Sequence, residues 1–136
     1  MRKIFFIISL FFAVSLTAQN QADDIVGYYY SIDPFTKEPS QNYIYKTADG
    51  SYEGKVVWVQ NPELQFRVGY VFLKNLTFNA NENEWQNGVM LYPGKKGTYK
   101  AYMSITSDGK LKVRGYWGIS MLGKTLYWTR EKEVRK

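Results

Sequence analysis

The sequence predicts an all-β fold, an up-and-down antiparallel β-barrel of about eight strands, and three observations carry that prediction. Aromatic residues make up 18% of the chain, and beyond residue 18 it is dense in Tyr, Thr, Val and Ile, types that suit a half-buried pleated surface. Asp49-Gly50 and Asp108-Gly109 each interrupt alternating runs, the strongest short-range signal of a tight hairpin. The runs recur roughly every ten residues with no helical period between them, which favours a meander that closes on itself without a free edge. A two-sheet sandwich uses the same strands and stands as the alternative.

The first segment lies outside that sheet. Arg2 and Lys3 precede an apolar run from Ile4 to Leu16, the layout of a secretory signal peptide over residues 1–18, with cleavage after the small residue Ala18. The run falls short of the roughly 20 apolar residues a membrane span needs, and an uncleaved anchor is the alternative. Cleavage leaves 118 of the 136 residues, enough for a single β-barrel domain over 19–136 and too few for two. No later stretch is expected to span a membrane, and no cysteine is present to form a disulfide or carry a lipid. A periplasmic or secreted protein is expected. Losing Arg2 and Lys3 takes the 18 basic residues to 16 against 12 acidic ones, a net charge of +4. That balance is too thin for a nucleic-acid surface, so no nucleic-acid partner is expected.

Strands are expected near 25–31, 42–47, 52–60, 72–79, 85–91, 98–106, 110–117 and 124–130. The first carries Tyr28, Tyr29 and Tyr30, which cannot all point into one lumen because successive side chains alternate across a sheet. In the third, Tyr52, Gly54, Val56 and Trp58 oppose Glu53, Lys55 and Val57, which places Trp58 inside. Trp85, Asn87, Val89 and Leu91 share a side of the fifth, where an inward Asn87 needs a hydrogen-bond partner. Polar and Gly/Pro-rich breaks at 79–84 and 92–97 flank this strand. Tyr99, Ala101, Met103 and Ile105 point inward from the sixth, and Leu111, Val113, Gly115 and Trp117 from the seventh, leaving Arg114 outside. Gly54, Gly88 and Gly115 mark bends, bulges or close backbone approaches, and a bulge at Gly115 would turn Arg114 into the lumen.

Three stretches carry a family resemblance: YEGKVVWVQNP (52–62), EWQNGVMLYPGKKGTYKAYMSI (84–105) and GKLKVRGYWGISMLGKTLYWTR (109–130). With Arg114-Gly115-Tyr116 and Trp128-Thr129-Arg130 as their most specific part, they resemble DUF2147, an exported bacterial family of unknown function. The resemblance spans nearly all of 19–136 and implies a lipocalin-like or calycin-like barrel, with no chemistry attached. Such barrels carry Gly-x-Trp on the first strand and a basic residue on the last, which packs across the Trp and closes one end. Here Gly27-Tyr28-Tyr29 and Arg130 take those places, with Tyr29 in the Trp position still offering a flat ring to a guanidinium. Gly27, Tyr29 and Arg130 are therefore the expected structural latch.

Catalysis is not expected. The chain has no His and no Cys, and its carboxylates Asp49, Glu82, Glu84, Asp108, Glu131 and Glu133 fall in turns or near the end. Glu53 and Glu63 have no partner at a telling spacing, and no metal or cofactor is implied. Asn75-Leu76-Thr77 matches a glycosylation triplet, taken as chance in a bacterial chain. The expected function is binding of a small, partly apolar ligand in the barrel mouth, lined by Trp58, Trp85, Tyr99, Met103 and Trp117, with Arg114 or Lys55 meeting an anionic group. A lumen simply filled by these rings is the equal alternative. The rival function is a protein-interaction module or inhibitor in the bacterial envelope, working through loops 32–41 and 60–70, where Phe35, Leu64 and Phe66 sit.

Overall fold

The computed structural model describes residues 21–93, 96–117 and 123–136. The expected signal peptide and its cleavage point lie outside the described residues. A 3-10 turn at Asp23–Ile25 leads into eight strands: β1 (Gly27–Ile32), β2 (Pro39–Lys46), β3 (Tyr52–Val59), β4 (Val71–Asn79), β5 (Glu84–Met90), β6 (Tyr99–Ile105), β7 (Leu111–Trp117) and β8 (Gly123–Glu131). Each strand pairs antiparallel with the next, and β8 returns to β1 through Tyr28–Glu131, Tyr29–Arg130 and Tyr30–Thr129. The sheet is one closed barrel, which leaves no place for a two-sheet sandwich.

The hairpins follow the turn chemistry. In both Thr47-Ala48-Asp49-Gly50 and Thr106-Ser107-Asp108-Gly109 the glycine takes a positive φ, 87° and 85°, after a turn closed onto the Thr carbonyl. This is the three-residue hairpin loop, one residue longer than the tightest kind, and an Asp carboxylate in each accepts from the Thr hydroxyl. The longer β3–β4 connection holds a second 3-10 helix, Pro62–Arg67, started by the Asn61 side chain accepting from Glu63 N at 3.0 Å.

Bulges decide which side chains enter the lumen. Gln41 faces Trp58 while its neighbour Asn42 faces Val56, so β3 carries one extra residue, Val57. That step reverses the alternation, and Trp58 leaves the lumen while Val59 enters it. The placement of Trp58 inside is thereby corrected. On β5 a second shift between Trp85 and Gly88 puts Asn87 on the outside at φ 64°, a conformation Asn tolerates well. Its amide donates to Thr77 Oγ1 at 2.9 Å, so the expected inward Asn87 is also corrected. Gly88 is buried, and a Cβ there would lie 2.9 Å from the Ala101 carbonyl, so this glycine serves close approach. The β6–β7 register runs without a break from Tyr99–Trp117 to Ile105–Leu111. Gly115 is no bulge, and Arg114 stays outside with its guanidinium over the Tyr116 ring at 5.4 Å.

The lumen is packed at one end. Ile25, Tyr29, Ile44, Tyr52, Leu73, Leu76, Trp85, Met103 and Leu111 are buried together there, and the segment before β1 crosses beneath them as a plug. Trp85 Nε1 donates to the Ala22 carbonyl at 3.0 Å and Tyr52 donates to Asp23. Arg130 fastens the plug: Nη1 donates to Val26 O at 3.1 Å, and Nη2 to Asp24 O and, at 2.7 Å, to the Tyr29 hydroxyl. Its guanidinium lies 4.9 Å from the Tyr29 ring centre, and the Tyr29 hydroxyl donates on to Ile25 O at 2.8 Å. A Cβ at Gly27 would come 3.0 Å from Arg130 Nη1, so the bare glycine leaves the guanidinium its path. Burial pushes the Tyr29 phenol up to about 12, with the Arg130 charge pulling it partly back. Gly27, Tyr29 and Arg130 therefore lie together at the closed end.

Tyr28 and Tyr30 point outward. Tyr28 stacks on Tyr43 at 4.6 Å, and Tyr30 receives the chain's last residues, which fold back along the outer wall. Arg135 lies over both the Tyr30 ring, at 4.5 Å, and the Trp58 ring, at 5.2 Å. Beneath it Gln41 is buried, donating to Glu131 Oε1 and Glu133 O and accepting from Arg135 N.

Candidate functional site

Above the packed end the lumen opens into a cavity of about 370 Å³. The alternation set by the bulges supplies its walls: Val56 and Val59 from β3, Phe72 from β4, Met90 from β5, Val113 from β7, and Leu126 and Trp128 from β8. Trp128 follows from its register, since it pairs with the inward Leu111 and sits two residues from Leu126, the partner of Val113. Gly115 also lines the cavity, and a Cβ placed on it would meet nothing nearer than 4.0 Å. The polar part of the wall belongs to β1 and β2. Asn42 Nδ2 donates to Ser31 Oγ at 3.0 Å, and the Ser31 and Ser40 hydroxyls share a hydrogen bond at 3.2 Å. Asn42 and Ser31 are buried, so these groups offer fixed polar points inside an otherwise apolar chamber.

The mouth is built around Asp33, at the end of β1. Its Oδ1 accepts from the backbone N–H of Phe35, at 2.8 Å, and of Thr36, at 3.2 Å, which shapes the β1–β2 loop. Its Oδ2 accepts from the Tyr92 hydroxyl and from Arg67 Nη1, the latter at 3.3 Å. Burial alone would raise the Asp33 carboxyl, yet the hydrogen bonds from Tyr92, Phe35 and Thr36 and the Arg67 charge together hold it below its ordinary value. Tyr92 shifts the other way, raised by burial and by its bond to that carboxylate. Arg67 comes from the second 3-10 helix and lies 5.5 Å from the Tyr92 ring. Lys124, at the start of β8, lies 5.0 Å from the Phe35 ring, which meets Tyr92 edge-on at 5.0 Å.

The expected lining divides. Tyr99 lines the cavity. Trp85 and Met103 are inward but belong to the packed end. Trp58 and Arg114 lie on the outer surface, and Lys55 does too, 5.5 Å from the Tyr45 ring. Trp117 ends β7 opposite Tyr99, and its side chain lies outside the described residues. Sequence reading missed Asp33, Arg67, Tyr92 and Trp128. A usable signal existed for Arg67, because the 60–70 connection is longer than a hairpin needs and so has residues to spare for the mouth.

A family model described as "Uncharacterized protein conserved in bacteria (DUF2147)" matches residues 27–130. The chain belongs to the DUF2147 family. The match runs from Gly27 to Arg130, the two residues that meet at the closed end of this DUF2147 barrel. No curated protein matches the chain. Among solved structures, HP1028 from the human pathogen Helicobacter pylori, described as belonging to the lipocalin family, is similar with a TM-score of 0.64 and 19% identity. The likeness covers 80% of this chain and 84% of that one. It shows a shared fold, and this DUF2147 member is a lipocalin-like barrel.

Proposed function

We propose that this barrel binds one small, partly apolar molecule in the open half of its lumen, acting in the periplasm or outside the cell after export. The observation that supports the reading is the cavity of about 370 Å³, within the size of small-molecule sites, apolar-walled with a few fixed polar groups. The packed end seals it below, so a ligand enters and leaves through the mouth. The reading is non-catalytic. The chain has no His or Cys, and Asp33 is held by four hydrogen-bond donors.

The test fills the chamber. Gly115→Phe adds a ring from a wall position where a Cβ meets no close neighbour, so it should block the lumen, and an unchanged far-UV circular dichroism spectrum checks that the fold is kept. The neutral dye N-phenyl-1-naphthylamine should fluoresce with the wild-type protein and lose its binding to Gly115→Phe. Unchanged dye binding would refute the lumen as the site. A second reading, interaction with a protein partner through the loops, draws on Phe66, which is 72% exposed on the β3–β4 connection. Phe66→Ala should leave dye binding intact and weaken only such a partner.

A further inference from the structure

Resting on the lumen-binding reading, we infer that the ligand is a small amphiphile whose carboxylate head is held at the mouth by Arg67, with its apolar body against Phe72, Val113 and Trp128. The argument starts from an incomplete set of bonds. A guanidinium carries five N–H donors and no acceptor. Arg67 commits one nitrogen, Nη1, to Asp33 at 3.3 Å, and its side chain is only 17% exposed. Its Nε is buried and finds no acceptor among the described residues. A charged donor closed off from water and left without an acceptor is costly, and native structures rarely leave one so without a purpose.

Geometry says which head group suits it. With Nη1 turned to Asp33 and Nε without an acceptor among the described residues, the Nε side of the guanidinium is the one open to a ligand, and the Nε–Nη2 edge has the spacing of the two oxygens of a carboxylate. Asp33 cannot move to it, because its oxygens already accept from Tyr92, Phe35 and Thr36 as well as Arg67. Glu38, the other acid lining the cavity, accepts from Asn61 Nδ2 at 3.2 Å. Lys124 lines the same mouth, 5.0 Å from the Phe35 ring, and adds a second positive charge there. Arg114 and Lys55, both on the outer wall, cannot serve this role.

The experiment displaces bound N-phenyl-1-naphthylamine with octanoate or with 1-octanol, which share a tail and differ in the head. For the wild-type protein octanoate should displace the dye at about tenfold lower concentration than octanol. Arg67→Gln should remove that preference by weakening octanoate about tenfold and leaving octanol unchanged. Should octanol match octanoate on the wild type, or the preference survive in Arg67→Gln, the carboxylate assignment is overturned while the lumen reading stands. If the wild type binds neither dye nor octanol, the lumen reading itself is overturned. A measurement on unaltered protein covers the case in which Arg67→Gln does not fold. Octanoate labelled with carbon-13 at its carboxyl, titrated while bound, should ionise at lower pH than free octanoate; ionisation at higher pH would overturn the assignment.

Discussion

Replacing Arg130 with Met tests whether the contact between the first and last strands holds the barrel shut. The substitution keeps an unbranched apolar stem and removes the guanidinium, along with its hydrogen bonds to Val26 O, Asp24 O and the Tyr29 hydroxyl and its position 4.9 Å over the Tyr29 ring. A hydrogen bond to a charged group contributes about 1.5–3 kcal/mol when well shielded. Arg130 is largely exposed, so water recovers most of that at the two carbonyls. The bond to the buried Tyr29 hydroxyl and the ring contact survive the discount, the latter at about 0.5–1 kcal/mol. The expected loss is about 2 kcal/mol, or about 8 °C in Tm for a domain of this size. Urea unfolding followed by tryptophan fluorescence measures it. Pairing Arg130→Met with Tyr29→Phe in a double-mutant cycle should give a coupling of about 1 kcal/mol. A loss below about 0.5 kcal/mol, or no coupling, would show that the barrel closes by strand pairing alone and that the latch contributes nothing.

Asp33→Asn should destabilise the protein by about 1–2 kcal/mol at neutral pH, since it breaks a shielded, charge-assisted network. Because the folded state holds this carboxyl below its ordinary value of 3.8, the advantage of wild type is full above that pH and disappears as pH falls through the folded value. Paired denaturation curves from neutral pH down to acid check both the size and the sign. Gly88→Ala should cost about 1–3 kcal/mol, as its Cβ would sit 2.9 Å from both the Ala101 carbonyl and Leu76 Cδ2; an unchanged denaturation midpoint would mean that the strands part there easily. Arg135→Ala should uncover Trp58 and shift its emission to longer wavelength, with dye binding unaffected because Trp58 is outside the lumen. A loss of dye binding in that variant would contradict the outward placement of Trp58.

Much of the fold was legible because it rests on local rules. The Asp-Gly turns, the alternation in Tyr99–Ile105 and Leu111–Trp117 and the roughly ten-residue spacing each report on neighbours a few positions away, and the barrel has strands at all these places. The cavity was legible only in part. Trp58 and Asn87 were read onto the wrong face because one inserted residue, Val57 on β3 and another on β5, inverts every assignment beyond it. Nothing in VVWV or WQNG announces such an insertion, since the register is fixed by the partner strand.

The mouth shows the same limit at longer range. Asp33, Arg67 and Tyr92 are 34 and 25 residues apart in the chain and meet only because three connections emerge at one end of the closed sheet. The sequence alone determined that this chain makes an antiparallel meander whose ends can join, because turn chemistry and period-two patterning are properties of short segments. The tertiary structure alone decided that the lumen is packed below and open above, and which cation stands at its rim. Those outcomes depend on bulges and loop positions that exist only once distant strands share hydrogen bonds.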